Sequence, residues 1–387
     1  MRATIPSFSL FGTVGFFLLY PFFFFYQVSI AKGYIPPVLG GYFRYAVAAV
    51  FIASLFFIAS NAKKNRIVWA DLNFILFVGY FFSVVCINEL LESESQYFTW
   101  HLGQVLQLLT VFMVFRSLDV DSLMLKRALF VAVILMSSSV FYFSENGFFY
   151  LKGHSLNSSY VSTYQEFANA YMLSVMLLVA CLRRGWTRLA IYIIAVPSLY
   201  LNGSRSELIA LILFVMLYEI VLAKHKWRVL FWVGLACAAV VIGIYFFGDY
   251  MPKNRVLYLA APASDGSIRM RTDMAVNALD IVADSPLFGN YGDYKVGEYA
   301  HNIISVWVDL GLIGLVIYLG MIISAFYKSA CAALFYWGGE RRVALILSML
   351  AVAILLVLTS KYFSYNMIAA ALGLFSGYKV LQSRRSI

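Results

Sequence analysis

The sequence predicts an all-α fold, a polytopic integral membrane protein with about 12 transmembrane helices and one large polar loop that itself contains helix. Two observations predict it. Of the 387 residues, 62% are hydrophobic and only 12% are charged, with a mean hydropathy of +0.82, whereas a soluble chain carries about 25% charge. The apolar residues also run in stretches long enough to cross a bilayer, about 20 residues each.

In chain order the expected spans lie near 8–30, 38–60, 67–88, 98–115, 128–144, 165–182, 189–201, 206–223, 229–247, 302–326, 343–360 and 362–380. The first run is too long for a signal-peptide core and lacks a small-x-small cleavage site, so it is expected to remain as a span. The net charge of +10 would suit a nucleic-acid partner if it were concentrated. Instead the basic residues mark alternate loops: NAKKNR at 61–66, the stretch 116–127, LRRGWTR at 182–188, AKHKWR at 223–228, the stretch 327–342 and the tail QSRRSI. By the positive-inside rule these are cytoplasmic, as are both termini, and no nucleic-acid partner is expected. The same alternation sends 89–97, 145–164, 202–205 and 248–302 to the outer face. Cys86, Cys181 and Cys237 fall within or at the ends of spans and Cys331 on the inner side, so neither a disulfide nor a cysteine-ligated metal is expected. Without an internal repeat or low-complexity linker, residues 1–387 read as a single helical membrane domain.

Several polar residues interrupt this pattern. Arg44, about a turn or more below the outer surface, either snorkels from a helix end or faces protein or water as an anion contact. His154 in the 145–164 loop has no partner nearby in sequence. Pro197 should kink or end its span near the outer face. Ser204 followed by Glu207 reads as a capping box that opens the next helix. Arg205 in that first turn opposes the helix dipole, and a guanidinium beside free backbone N–H groups makes a seat for phosphate.

The long outer loop, 248–302, is where water-phase chemistry can occur. Ile268–Asp284 reads as a helix stopped by Ser285-Pro286, with Met274, Ala278, Leu279 and Val282 on its apolar face. Arg271 lies a turn before that face and reaches toward the outer surface; Arg269 points elsewhere. His301-Asn302 lead directly into an apolar run, which puts the imidazole at a membrane surface as a candidate catalyst. Asp309 is eight residues on, about 12 Å along a helix, too far to orient His301, and is expected to make a polar contact between helices.

Taken together, Ser-Arg opening a span, an arginine-bearing helix running into ALDIVADSPLFGNYGDY, and AHNIISVWVDLGLIGL resemble the bacterial O-antigen ligase and polymerase superfamily. The resemblance covers Leu201 to Leu315. Ala275 stands where the family often has tryptophan, and Asp309-Leu310-Gly311 where it often has acidic-x-Gly. The resemblance implies a glycosyltransferase of the bacterial inner membrane with its active site facing the periplasm. Its donor would be a glycan on undecaprenyl pyrophosphate, and its acceptor a sugar hydroxyl of lipid A–core (a ligase) or of another lipid-linked repeat unit (a polymerase). It matches Arg205, Arg271 and His301 to the family's catalytic arginines and histidine; Arg269, Arg44, Ser204 and Asn302 are further candidate substrate contacts. Two arginines and a helix N-terminus suit a pyrophosphate leaving group. With no Asp-x-Asp or His/Cys cluster, neither metal nor other cofactor is expected. A lipid-linked sugar transporter ranks lower, because transporters place their ionisable groups near the midplane and here they gather at one face.

Overall fold

A computed structural model describes residues 6–40, 42–60, 67–91, 97–149, 151, 160–231, 234–235, 246, 266–295, 298–335 and 339–385. Most of these residues are helical: α1 Pro6–Leu19, α2 Pro21–Ala31, α3 Tyr42–Ser60, α4 Trp69–Leu91, α5 Phe98–Ser117, α6 Leu123–Phe143, α7 Tyr164–Cys181, α8 Gly185–Asn202, α9 Arg205–Leu222, α10 Gly266–Asp284, α11 Ile304–Phe335, α12 Arg341–Thr359 and α13 Asn366–Arg385. Among the described residues no strand forms beyond an isolated bridge between Glu145 and Phe148.

Among the described residues, six stretches are long and apolar enough to cross a membrane: Ser9–Ala31, Trp69–Leu91, Phe98–Ser117, Leu123–Phe143, Ile304–Phe335 and Arg341–Thr359. The chain is therefore a helical, polytopic membrane protein, with half of the expected dozen spans supported on length and composition. The shortfall has physical causes. The apolar part of α3 is short, Tyr42–Phe56; α7 opens on Gln165, Glu166 and Asn169; α9 carries Arg205, Glu207 and Glu219. Most of the 229–247 window lies outside the described residues, as do His154, the 61–66 loop and residues 247–265 of the long loop.

At the centre α13 lies along α5. Gly373 and Gly377 make this possible: a Cβ on Gly373 would stand 2.5 Å from the carbonyl of Phe112 and 3.0 Å from the amide of Arg116. Small residues four apart bring membrane helices into backbone contact. Deep in the same bundle, α7 is buried from Met172 through Cys181, which is why it is apolar on every side. Away from the centre, α11 packs on α4 and α12, and α12 on α9.

Charged residues tie one end together. Arg116 donates through Nε and Nη2 to both oxygens of buried Asp71 at 2.8 and 2.9 Å, and the Ser376 hydroxyl of α13 also donates to Asp71. Arg188 grips Glu219 in the same forked way at 2.6 and 2.7 Å. Arg341 and Arg342 reach Asp121 at 2.5 and 2.9 Å, and Arg342 reaches Asp119 at 2.6 Å. Part of the positive charge that marks alternate loops in the sequence thus binds helices to one another.

α8 runs past Pro197 and stops at Asn202, within a residue of the expected end of the span, where Gly203 with a left-handed φ of 76° closes the last turn. One expectation about helix ends needs correction: Ser204 and Glu207 do not form a capping box. The Ser204 hydroxyl donates to the Glu207 carboxylate, which is also held by Ser206 and Lys361, so Glu207 does not turn back on the backbone.

The glycines of SPLFG and DLGLIG meet. Gly311 breaks α11 with φ 66° and ψ −174°, a region open in practice only to glycine. Gly289, also left-handed, packs against it; a Cβ there would lie 2.7 Å from the Gly311 amide and 2.8 Å from the Trp307 carbonyl. Leu312 N–H then donates to the carbonyls of Pro286 and Leu287 at 3.2 and 3.1 Å, and Asn290 N–H to Val308 at 2.8 Å. The loop is thereby sewn to the break in α11. Gly311→Ala is expected to destabilise the protein by about 2–4 kcal/mol through backbone strain and overlap with Phe288; a thermal melt in detergent unchanged from wild type would contradict this.

Candidate active site

At the other end of the bundle, the starts of α5, α7 and α9, the helix α10, the segment before α11 and the turn between α12 and α13 enclose a cavity of about 430 Å³. Arg271, His301, Lys361 and Glu207 all line it. The loop arginine and the histidine, thirty residues apart in sequence, therefore share one space.

Arg271 is set by the packing of α10. Ala278 and Val282 are buried against Ala300 and Val308, with Ile281 beside them, whereas Leu279 is exposed. The buried face thus follows positions 274, 278, 281 and 282 and not 279, which lies about 100° round the helix from 278. Docking that face leaves Arg271 half-buried on the cavity, and among the described residues it has no acidic partner.

His301 follows Tyr299, whose ring lies 4.5 Å from the imidazole. No hydrogen bond ties the imidazole nitrogens to another described side chain, and Asp309, as expected, does not reach them. Burial, then the positive charges of Arg271 and Lys361, hold the imidazole pKa down at about 4. The ring is therefore neutral at pH 7 with a lone pair available, which a general base requires. An anion in the cavity would offset both cations and raise its basicity.

Lys361 sits on the turn between α12 and α13. Its ammonium meets the Glu207 carboxylate at 2.5 Å and lies over the Tyr365 ring at 5.3 Å. Since Glu207 is fully buried and also accepts from Ser204 and Ser206, the pair fixes the lysine at the rim of the cavity.

Beneath the cavity runs a buried chain of polar groups. Asp309 accepts from the Gly292 amide at 3.1 Å, from the Tyr294 hydroxyl at 3.1 and 3.2 Å, and from the Tyr362 hydroxyl. With its hydroxyl hydrogen pointed at Asp309, Tyr362 accepts from His101 Nε2 at 3.0 Å, which leaves His101 Nδ1 to accept from Tyr291 at 2.6 Å. Asp309 thus serves as a polar contact from α11, joining it to the loop and to the cavity wall at Tyr362.

The remaining candidates stand elsewhere. Arg205 is the first residue of α9, half-buried, two residues before Glu207; it is not among the residues lining the cavity, nor is Ser204. Arg44 is exposed on α3. Asn302 Oδ1 accepts from the Ile304 amide at 3.0 Å and so starts α11. The side chain of Arg269 lies outside what the structure describes.

Residues 190–319 match the family described as O-antigen ligase. That match supports the resemblance to the O-antigen ligase/polymerase superfamily. No protein of curated function matches the chain. Arg205, Arg271 and His301 all fall inside the matched residues, which cover the stretch whose motifs carry the resemblance. Lys361, Tyr362 and the walls from α5 and α7 come from outside it. These were not singled out from sequence, although signals exist: Trp100, Gln104 and Gln107 recur at i, i+4 and i+7 of an apolar helix, as Gln165 and Asn169 recur at i and i+4. Lys361 stands in a short polar break, TSKYFSYN, between the last two spans.

Proposed function

We propose that this protein transfers a glycan from undecaprenyl pyrophosphate to a sugar hydroxyl of lipid A–core, at the periplasmic face of the bacterial inner membrane. The observation that carries this reading is Arg271: a half-buried guanidinium with no acidic partner among the described residues, facing a cavity beside a neutral histidine. A cation in that position suits an anionic ligand, and the superfamily's substrates are lipid-linked glycans.

In the reaction, the acceptor hydroxyl oxygen forms a bond to the anomeric carbon while the bond from that carbon to the pyrophosphate oxygen breaks. The electron pair leaves with undecaprenyl pyrophosphate, and the hydroxyl proton goes to His301. Arg271, with Lys361 at the rim, supports the negative charge that grows on the leaving group; Arg205, which does not line the cavity, is given a share in this by the resemblance alone. Attack from the side opposite the leaving group inverts the anomeric configuration.

Purified protein given a lipid-linked glycan with either lipid A–core or a second lipid-linked repeat unit tests the reading. A single capped glycolipid is expected. A ladder still attached to polyprenol would make it a polymerase, and movement of the donor across the bilayer without a new linkage would make it a transporter.

The sidedness is tested separately. In a cysteine-free background, Lys295→Cys at an exposed position of the long loop should react with a membrane-impermeant maleimide in spheroplasts, and Trp227→Cys in the basic loop only after lysis. The opposite pattern would overturn the periplasmic assignment.

A further inference from the structure

One wall of the cavity has no part in the chemistry described above. Apart from Thr163 and Glu166, which cap α7 with the Glu166 carboxylate accepting from the Thr163 amide at 3.0 Å, its polar residues are Gln104 and Gln107 from α5, Gln165 and Asn169 from α7, and Ser364 and Asn366 from the last turn. These are uncharged hydrogen-bonding groups set in or beside apolar helices, where polar side chains are costly unless they meet one another or a water-filled path. Some of their bonding is internal. Gln107 donates to Asn366 at 2.5 Å, Tyr365 donates to Asn169 at 2.9 Å, and Ser364 donates to Gln104.

Polar contacts of this kind can simply hold membrane helices together. Two features go further. An amide has both donors and an acceptor, and one bond to a neighbour engages only one end of it, while every one of these residues opens onto the same space. Trp100, one turn before Gln104 on the same face of α5, lines that space as well, and an aromatic face beside amides and hydroxyls suits the C–H face and hydroxyl rim of a sugar ring.

We propose that this wall binds an uncharged sugar, a neutral hexose or N-acetylhexosamine joined directly to the pyrophosphate, with Gln107 and Asn169 as its principal contacts. The inference rests on the pyrophosphate reading of Arg271 and deepens it: residues 190–319 supply Arg271 and His301, while α5, α7 and the turn before α13, all outside that stretch, supply recognition of the sugar. The mutual hydrogen bonds keep the amides oriented before the sugar arrives, so that little side-chain freedom is lost on binding.

The test compares two probes on the purified full chain, undecaprenyl pyrophosphate and undecaprenyl pyrophosphate bearing N-acetylglucosamine, by equilibrium binding in detergent. Wild type should bind the sugar-bearing lipid about tenfold tighter, the effect of two or three net hydrogen bonds. In Gln107→Leu and, separately, in Asn169→Ala, that advantage should fall to about twofold or less, with affinity for the sugar-free lipid unchanged and thermal melting confirming the fold. No advantage in wild type overturns the proposal without any variant being needed, as does an advantage that survives both substitutions. Failure of the underlying pyrophosphate reading looks different: sugar-free lipid would then bind no more weakly to Arg271→Ala than to wild type.

Discussion

Arg271→Ala is expected to lose about 10²–10³-fold in turnover and to bind the lipid-linked donor poorly, because it removes a cavity cation that has no acidic partner among the described residues. Arg271→Lys should recover little, since an ammonium cannot present the planar fork that two phosphate oxygens accept together. Arg205→Ala is expected to lose most activity as well, and Arg269→Ala less, since only Arg205 and Arg271 match the superfamily's arginines. The comparison is made at equal membrane levels, with donor binding and product formation measured side by side. Turnover by Arg271→Ala within twofold of wild type would refute the phosphate role. Loss of turnover with donor affinity intact would move Arg271 from holding the pyrophosphate to stabilising charge only as the bond breaks.

The helices were largely legible because crossing a bilayer requires long apolar runs, and the ends of α4, α7, α8 and α9 fall within a few residues of those read from hydropathy. Arg271 and His301 were legible for a different reason. Each is a polar residue at the edge of an apolar element, and motifs around them pointed to one family. What could not be read was pairing across the chain. Glu207 looked like a capping residue because its local spacing allows it; only the fold brings up Lys361, more than a hundred residues away, to take its carboxylate. His101 gave no local sign of its role, since its partners Tyr291 and Tyr362 come from the long loop and the last turn. Leu279 was placed on the wrong face of α10 because composition alone does not fix which edge of an apolar stripe meets the protein. The glycines of SPLFG and DLGLIG belonged to the resemblance, but the reason for them, two backbones touching at a break in α11, needed the fold.

His301→Ala is expected to separate binding from chemistry. If the imidazole takes the acceptor's proton, the variant should bind the lipid-linked donor as wild type does, because the arginines hold the pyrophosphate, yet transfer the glycan about 10²–10⁴-fold more slowly. The pH profile gives an independent reading. Burial and the charges of Arg271 and Lys361 lower the His301 pKa to about 4 in the empty site; a base works only while unprotonated, so activity on the free enzyme should stay level as pH falls from about 8 to about 5 and drop below that. With donor bound, the pyrophosphate opposes those cations, so the acid limb of kcat should lie at higher pH than that of kcat/KM. Lys361→Met removes one of the two depressing charges and should likewise move the limb of kcat/KM upward. An acid limb that stays in place in Lys361→Met, or one that persists unchanged in His301→Ala, would assign the proton to another group. Loss of donor binding in His301→Ala, with residual turnover matching its lower occupancy, would make the histidine a substrate contact and leave the acceptor hydroxyl to be activated elsewhere.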